Sequence, residues 1–392
     1  MKILQLNPAF YPAFSYGGVV AVSYDLSKAL TKRGHDVTVY TSDTLDKKNR
    51  EKNHYLEHQG IKIYYFRNVS NILAWHRFLF YPGLIMEVKN HIHEFDIVHM
   101  HGIRNFQNIV ASHYAKKYGI PYVVQPHGSL PLLLGKKTLK RIYDAIWGEK
   151  ILKGADWIIA LTPAEAEHAK QMGIDESRIR IIANGIDLSQ YENVPALGEF
   201  RMRYGISSEA RIILFLGRLN PIKRVDLLIR AFHIVLKEID NCVLVIAGPD
   251  DGSLSELKVL VEELRINENV IFTGPIHGNI KSATYQDSDI FVIPSYHESF
   301  PMTLLEAWKF KKPVIVTDSC EINNIVNDCG LIVKPNPGDM ATALKLYLKQ
   351  DILMRSHGQN GYEKLHNNFT MCTTAQGVER LYYEVIRSKS YK

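Results

Sequence analysis

The segment Pro294-Ser295-Tyr296-His297-Glu298-Ser299-Phe300-Pro301-Met302-Thr303-Leu304-Leu305-Glu306 places two carboxylates, Glu298 and Glu306, around a proline with seven residues between them. The run DIFVIPS before it reads as a strand, and the pattern from Met302 to Phe310 reads as a helix that Pro301 opens. Proline suits a first helical position because its missing N–H has no partner there in any case. The amides of Met302, Thr303 and Leu304 are then helix-start donors without intrahelical acceptors, a ready site for a phosphate. Acids beside an anion site make little sense as charges. They make sense as acceptors for hydroxyl groups, one for a sugar and the other for a ribose diol. The plain alternative is a solvated loop glutamate and an exposed helix face.

A second segment, FLGRLNPIKRVDLLIRAF, sets Arg218 and Lys223 between a strand and a helix. Cations at a strand C-terminus can neutralise a diphosphate leaving group. For Lys223 and Arg224 an ordinary basic loop is the competing reading. In the front half, Gly17 and Gly18 follow the first strand and precede a helix, where absent side chains let backbone approach a phosphate. The dinucleotide fingerprint G-x-G-x-x-G is absent.

These residues need elements that bring strand ends and helix starts together. Short β-rich runs alternate with helical patterns along the whole chain: KILQLN, a helix from Val19 to Arg33, DVTVYTS and IKIYYF, then DIVHMHG, PYVVQPHG, DWIIALT and RIRIIANG. Such alternation means βα units and parallel sheets. It restarts as RIILFLGR, CVLVIAG, NVIFTG, DIFVIPS and PVIVTD after a polar stretch from Asn184 to Ala210, read here as the linker. With 392 residues and 46% hydrophobic composition, two domains are expected. The fold class is α/β, with two doubly wound Rossmann-like domains facing across a deep cleft. The expected division is 1–185, 186–368 and a C-terminal helix in 369–392 packing back toward the first domain.

Together the residues resemble the family-4 retaining glycosyltransferases of the GT-B fold. The resemblance rests on the Glu298/Glu306 pair, on Gly217-Arg218 with Lys223, on Asn184-Gly185-Ile186-Asp187, and on the Gly17-Gly18 loop, in order over nearly the whole chain. It implies that Arg218 and Lys223 bind a donor diphosphate, Glu306 the ribose hydroxyls and Glu298 the transferred sugar. Phe300, Pro301 and Met302 would line the sugar and phosphate pocket, and Gly18 would approach the diphosphate from the other domain. His127, in QPHGS, matches the family's active-site histidine near sugar and acceptor. Read without the family, it is a turn histidine. Many members have glycine after the first glutamate and after the phenylalanine, whereas this chain has Ser299 and Pro301. The implied chemistry is transfer with retention from a nucleotide diphosphate sugar to a lipid-linked or glycan acceptor, in cell-surface polysaccharide or glycolipid synthesis. No metal or other cofactor is expected.

Other features set limits. Residues 1–185 hold 24 Lys+Arg against 16 Asp+Glu and the remainder 23 against 25, so the front half is +8 and the back half −2 of the overall +6. A basic front half suits an anionic surface or substrate. Within it, Gly135 to Gly154 combines Lys136, Lys137, Lys140, Arg141, Lys150 and Lys153 with Ile142, Ile146, Trp147 and Ile151. This reads either as a membrane-surface helix or as an ordinary surface helix. Cys242, Cys320, Cys329 and Cys372 show no metal spacing, which suits a reducing cytosol. The N-terminus reads as a strand rather than a leader, and the apolar window Ile72 to Met86 is broken by His76, Arg77 and Pro82. The expected location is cytoplasmic, at the inner face of the cell membrane where it docks. Asp287-Ser288-Asp289 reads as a turn rather than a metal motif, and His101 as the strand residue that lines the cleft, with His99 on its side of the strand. Two alternatives stay open: a nucleotide-sugar 2-epimerase of the same double-Rossmann fold, and a non-catalytic membrane or nucleic-acid adaptor. No nucleic-acid partner is expected under the first reading.

Overall fold

A computed structural model of the chain describes residues 1–76, 78–132 and 137–390. They form two compact units: Met1–Gly185 with Met371–Lys392, and Ile186–Thr370. Each has its own parallel sheet, which agrees with the α/β reading.

The first sheet runs in the order β3-β4-β2-β1-β5-β6-β7-β8. Its strands are β1 Lys2–Leu6, β2 Asp36–Ser42, β3 Tyr55–His58, β4 Ile61–Phe66, β5 Ile97–His101, β6 Tyr122–Gln125, β7 Trp157–Ala160 and β8 Ile179–Ile181. All pairings are parallel except the edge hairpin β3/β4. The central strands are apolar on both faces, as a sheet covered by helices on both sides requires. On one face Ile3, Val37, Val39, Ile97, Val123 and Ile159 pack on the helices Gly18–Lys32 and Met371–Ser390. From the latter, Val378, Leu381, Tyr382 and Val385 are fully buried, each worth roughly 1.5–3 kcal/mol of apolar burial. Polar contacts fix the same helix: Glu379 takes Arg33 and His35, and Thr374 donates to the carbonyl of Ala183.

The second sheet has the order β11-β10-β9-β12-β13-β14, all parallel. Its strands are β9 Arg211–Leu216, β10 Cys242–Ala247, β11 Val270–Gly274, β12 Ile290–Ile293, β13 Val314–Thr317 and β14 Gly330–Val333. β3 and β14 are edge strands missing from the sequence reading.

One expectation is corrected outright. The stretch from 184 to 210, read as the linker, is from Ile186 onward part of the second unit. It contains the helix Glu199–Tyr204, whose free amides are capped from a distance: Asp287 accepts from Gly198 (2.7 Å), Phe200 (2.9 Å) and Arg201 (3.1 Å). Phe200 is fully buried there. Asp289 in turn holds Arg211 and the amide of Ile212. Both carboxylates of the Asp287-Ser288-Asp289 turn are thus employed in holding the fold. Gly135 and Lys136, part of the basic run, lie outside the described residues.

Candidate functional site

In the second unit, β9 ends at Gly217-Arg218. Gly217 donates to the carbonyl of Ala247 at 3.0 Å, and its own carbonyl lies where a Cβ on Gly248 would sit only 1.9 Å away. Gly248 also has φ 140°, so space and backbone both demand glycine there. Beyond this crossing the two loops zip together: Leu219 donates to Pro249, while Asp251 and Ser253 donate to Leu219. The result presents Arg218 toward solvent, 47% exposed, with its Nη1 3.1 Å from Asp251 Oδ2. Asn220 donates to the same oxygen at 2.9 Å.

The next loop meets the strand-to-helix turn after β12. Tyr296 donates its amide to Ile222 at 2.7 Å, and the carbonyl of Glu298 accepts from Glu321 at 2.8 Å. With both backbones fixed, Lys223 Nζ donates directly to Glu298 Oε1, and both side chains are about four-fifths buried. Sequence reading gave these two residues separate ligands. It did not anticipate that they pair with each other.

The helix Met302–Lys309 begins at Pro301 with no side-chain cap. Here two expectations need correction. The amide of Leu304 is not free: it closes the first turn on the carbonyl of Pro301 at 3.1 Å, leaving Met302 and Thr303 as the open donors among the described residues. Phe300 is placed mainly in the core rather than in a pocket lining. It is 8% exposed and packs on Phe369 with ring centroids 5.9 Å apart, because a large ring before the helix gains more from the core than from water.

Glu306 sits one turn into the helix, buried, and both its oxygens are engaged. Lys281 Nζ donates to Oε1 at 2.8 Å, and the Tyr285 hydroxyl donates to Oε2 at 2.9 Å. Burial, reinforced by the charge of Glu306, pushes the Tyr285 hydroxyl well above its ordinary value, so it stays a donor. Each carboxylate oxygen has a second lone pair, which leaves Glu306 able to accept from a ligand hydroxyl. Lys281 and Tyr285 were missed in the sequence. Their spacing of four on the helix Gly278–Asp287 puts them on one face, and that was the available signal.

In the first unit, Gly17 has φ 104° and its carbonyl accepts from Val20, so the helix Gly18–Lys32 starts directly behind it. A Cβ on Gly17 would meet nothing within 4 Å; the backbone angle, not crowding, calls for glycine. His127 follows β6 and takes φ 54°, a left-handed conformation that a residue with a Cβ adopts at a cost. Two contacts hold it. Gly128 donates its amide to Glu165 Oε1 at 2.5 Å, and Glu165 Oε2 accepts from Leu161 at 2.7 Å. The ring of His127 meets His101, with 2.9 Å between Nε2 and Nδ1. Burial pulls His127 down to about 3 and His101 well below its usual value, so both rings are neutral. Just beyond, Arg104 donates to the carbonyls of Ser129 and Leu130 and pairs with Asp144.

Comparison with known proteins fits this geometry. A family model described as glycosyl transferases group 1 matches residues 198–364, and one described as glycosyltransferase family 4 matches 16–190. This chain belongs to the family-4 glycosyltransferases. Among relatives, the D-inositol 3-phosphate glycosyltransferase 2 of Catenulispora acidiphila is 26% identical over 308 residues, covering 72% of this chain and 71% of that protein. An uncharacterized glycosyltransferase of Methanocaldococcus jannaschii is 26% identical over 373 residues, 90% and 92% of the two chains. Among solved structures, a sucrose-phosphate synthase from Thermosynechococcus elongatus superposes with a TM-score of 0.79 at 18% identity, over 99% of this chain and 100% of that one. HepE of Anabaena in complex with UDP-glucose gives 0.77 at 21%, over 97% and 99%. The glycosyltransferase therefore has the GT-B fold, and the epimerase and adaptor alternatives give way. Among the described residues of this glycosyltransferase, no helix is long and apolar enough to cross a membrane.

Proposed function

We propose that this family-4 glycosyltransferase moves a hexose, with retention, from a nucleotide diphosphate sugar to a lipid-linked or glycan acceptor of the cell surface. The observation that carries the reading is the pair of lysine–glutamate contacts, Lys223 with Glu298 and Lys281 with Glu306, flanking the open amides of Met302 and Thr303.

In this reading the diphosphate takes the helix-start amides, Lys223 and Arg218, whose charges grow in value as the leaving group departs. Lys223 must then exchange part of its contact with Glu298 for phosphate, which frees Glu298 to accept from the sugar hydroxyls. Glu306, held from behind by Lys281 and Tyr285, accepts from the ribose. His127 contacts the sugar being transferred, and Gly17 and Gly18 offer backbone to the diphosphate. The diphosphate itself takes the acceptor's proton, so no enzymic nucleophile is assigned.

The structurally similar HepE of Anabaena is seen in complex with UDP-glucose, which makes it the first donor to try among UDP-, GDP- and ADP-sugars. The measurement is sugar transfer to a lipid extract by the parent and by Glu306→Ala; equal transfer by both would overturn the assignment. The proposal assigns charge neutralisation to the protein's own cations, so EDTA is expected to leave the rate unchanged. Docking at the cytoplasmic membrane face is supported by the helical stretch from Lys137 to Gly154, where Ile142, Ile146 and Trp147 are exposed beside Lys137 and Arg141. Anionic vesicles should retain the protein in flotation, and neutral ones should not.

A further inference from the structure

We infer that His101 is the positioning residue for His127, setting the direction in which its ring presents a nitrogen to the reacting sugar. The inference rests on the role given to His127 above.

The face of the first sheet toward the helices Gly18–Lys32 and Met371–Ser390 changes character along its strands. At its lower end it is filled by Ile3, Ile97, Val123 and Ile159. At the C-terminal ends it turns polar: the register pairs Gln5 with His99 and His101 with Gln125, so these four side chains share one face. All are buried, at 2% exposure or less. Replacing apolar side chains by such a layer is costly unless every polar atom finds a partner. Here, among the described residues, Gln5 Nε2, His99 Nε2 and Gln125 Oε1 find no hydrogen-bond partner. A fold that only needed packing at these positions would use aliphatic residues, as it does one turn of the pleat below.

The layer's contacts converge on His127. His101 Nδ1 meets His127 Nε2 at 2.9 Å, and its other nitrogen lies 3.3 Å from Gln5 Oε1. The His101 ring is sandwiched, with His127 5.2 Å away at 20° and His99 4.1 Å away at 28°. His99 is itself fixed by the Tyr382 hydroxyl, 2.6 Å from Nδ1. One proton lies between the His101 and His127 nitrogens, so one ring donates and the other accepts. Burial keeps both rings neutral, so each ring has one donor and one acceptor nitrogen to place. The nitrogen of His127 already spent on His101 cannot serve the sugar. Its remaining nitrogen, Nδ1, is the one left for the ligand, and His101 determines whether it donates or accepts. Meanwhile the carboxylate of Glu165 holds the strained backbone of the same residue through Gly128. The ring is thus located by one contact and the main chain by another.

The test compares His101→Leu, His101→Asn, His127→Ala and the double variant His101→Leu/His127→Ala, assayed by hydrolysis of UDP-glucose, or of whichever donor sugar the screen above selects. Thermal melting and calorimetric UDP binding check that each variant folds. His101→Leu is expected to lower kcat by about tenfold to a hundredfold, the cost of a misplaced group, with KM little changed. Asparagine can place a donor or acceptor where Nδ1 was, so His101→Asn should recover most of that loss. The double variant should be no slower than His127→Ala, because His101 acts only through His127. If His127→Ala itself keeps the parent rate, the active-site reading of His127 fails. If His127→Ala is slow but His101→Leu is not, or if the two losses multiply in the double variant, the positioning role fails while that reading stands.

Discussion

The two units hold their candidate groups by opposite physical means. In the second unit they are ions: Lys223 on Glu298, Lys281 on Glu306, Arg218 on Asp251. In the first they are neutral rings: His99 and His101 fully buried under helices, with His127, only partly buried, against His101. The Arg218–Asp251 pair is about half exposed, and such pairs are weak and exchangeable; the other two lie deeper, and Lys223 leaves Glu298 only in trade for an incoming diphosphate. A buried neutral layer cannot exchange, and suits a group that must stay in place. The contrast predicts that the second unit's substitutions act on chemistry and the first unit's on stability and geometry.

The largest effect should come from Lys223→Ala. Removing a cation that meets developing charge is expected to cost about 10²–10³ in kcat, the range for losing one donor to a transition-state anion. Some stability should go with it, because Glu298 is left about four-fifths buried without its cation, but the rate should fall by more. A large drop in melting temperature with an intact rate would reverse the contrast.

Glu165→Ala should do the opposite. The carboxylate is fully buried and accepts from both Gly128 and Leu161. Hydrogen bonds to a charged acceptor contribute roughly 1.5–3 kcal/mol, and two buried amides would lose their partner. Urea unfolding should show that loss, whereas UDP binding, read by calorimetry, should be unaffected.

How much of this was legible beforehand follows the same division. The strand and helix alternation, the Glu298–Glu306 segment and the Arg218–Lys223 segment all show in local sequence, because a parallel sheet leaves near-continuous apolar runs and strand ends leave glycines. Partners supplied from another element do not show. Nothing near Glu199 says that Asp287 caps its helix, so the segment 184–210 looked like a linker. Nothing near Glu306 names Lys281 and Tyr285, and nothing near His127 names Glu165. Phe300 was misassigned for the same reason, since Phe369, which covers it, lies far along the chain.

Acid should separate the units by a smaller margin. Burial holds His99 and His127 at about 3, against 6.5 for a free histidine. Below pH 6.5 the unfolded chain takes up protons that the folded one refuses, so stability is complete above that pH and falls as pH drops toward about 3. Each such histidine contributes at most about 1.4 kcal/mol per pH unit. His91 runs the other way, raised by Glu94, but it is half-exposed and weighs little. Between pH 6.5 and 5 the urea midpoint reports the buried histidines, chiefly this layer, with His357 of the second unit, lowered by partial burial, adding in the same direction. A flat midpoint there would mean that the rings are solvated and exchangeable, like the ions of the second unit.

The smallest effect tests exchangeability at Arg218. Its pair with Asp251 is about half exposed, and such pairs contribute roughly 0–1 kcal/mol. If a diphosphate must displace Asp251 to reach Arg218, then Asp251→Asn removes the competitor while keeping an acceptor for Asn220. UDP should bind about two- to threefold more tightly, an amount within that range. Weaker binding would mean that Asp251 orients Arg218 instead of competing for it, and the second unit would then share some of the fixed character of the first.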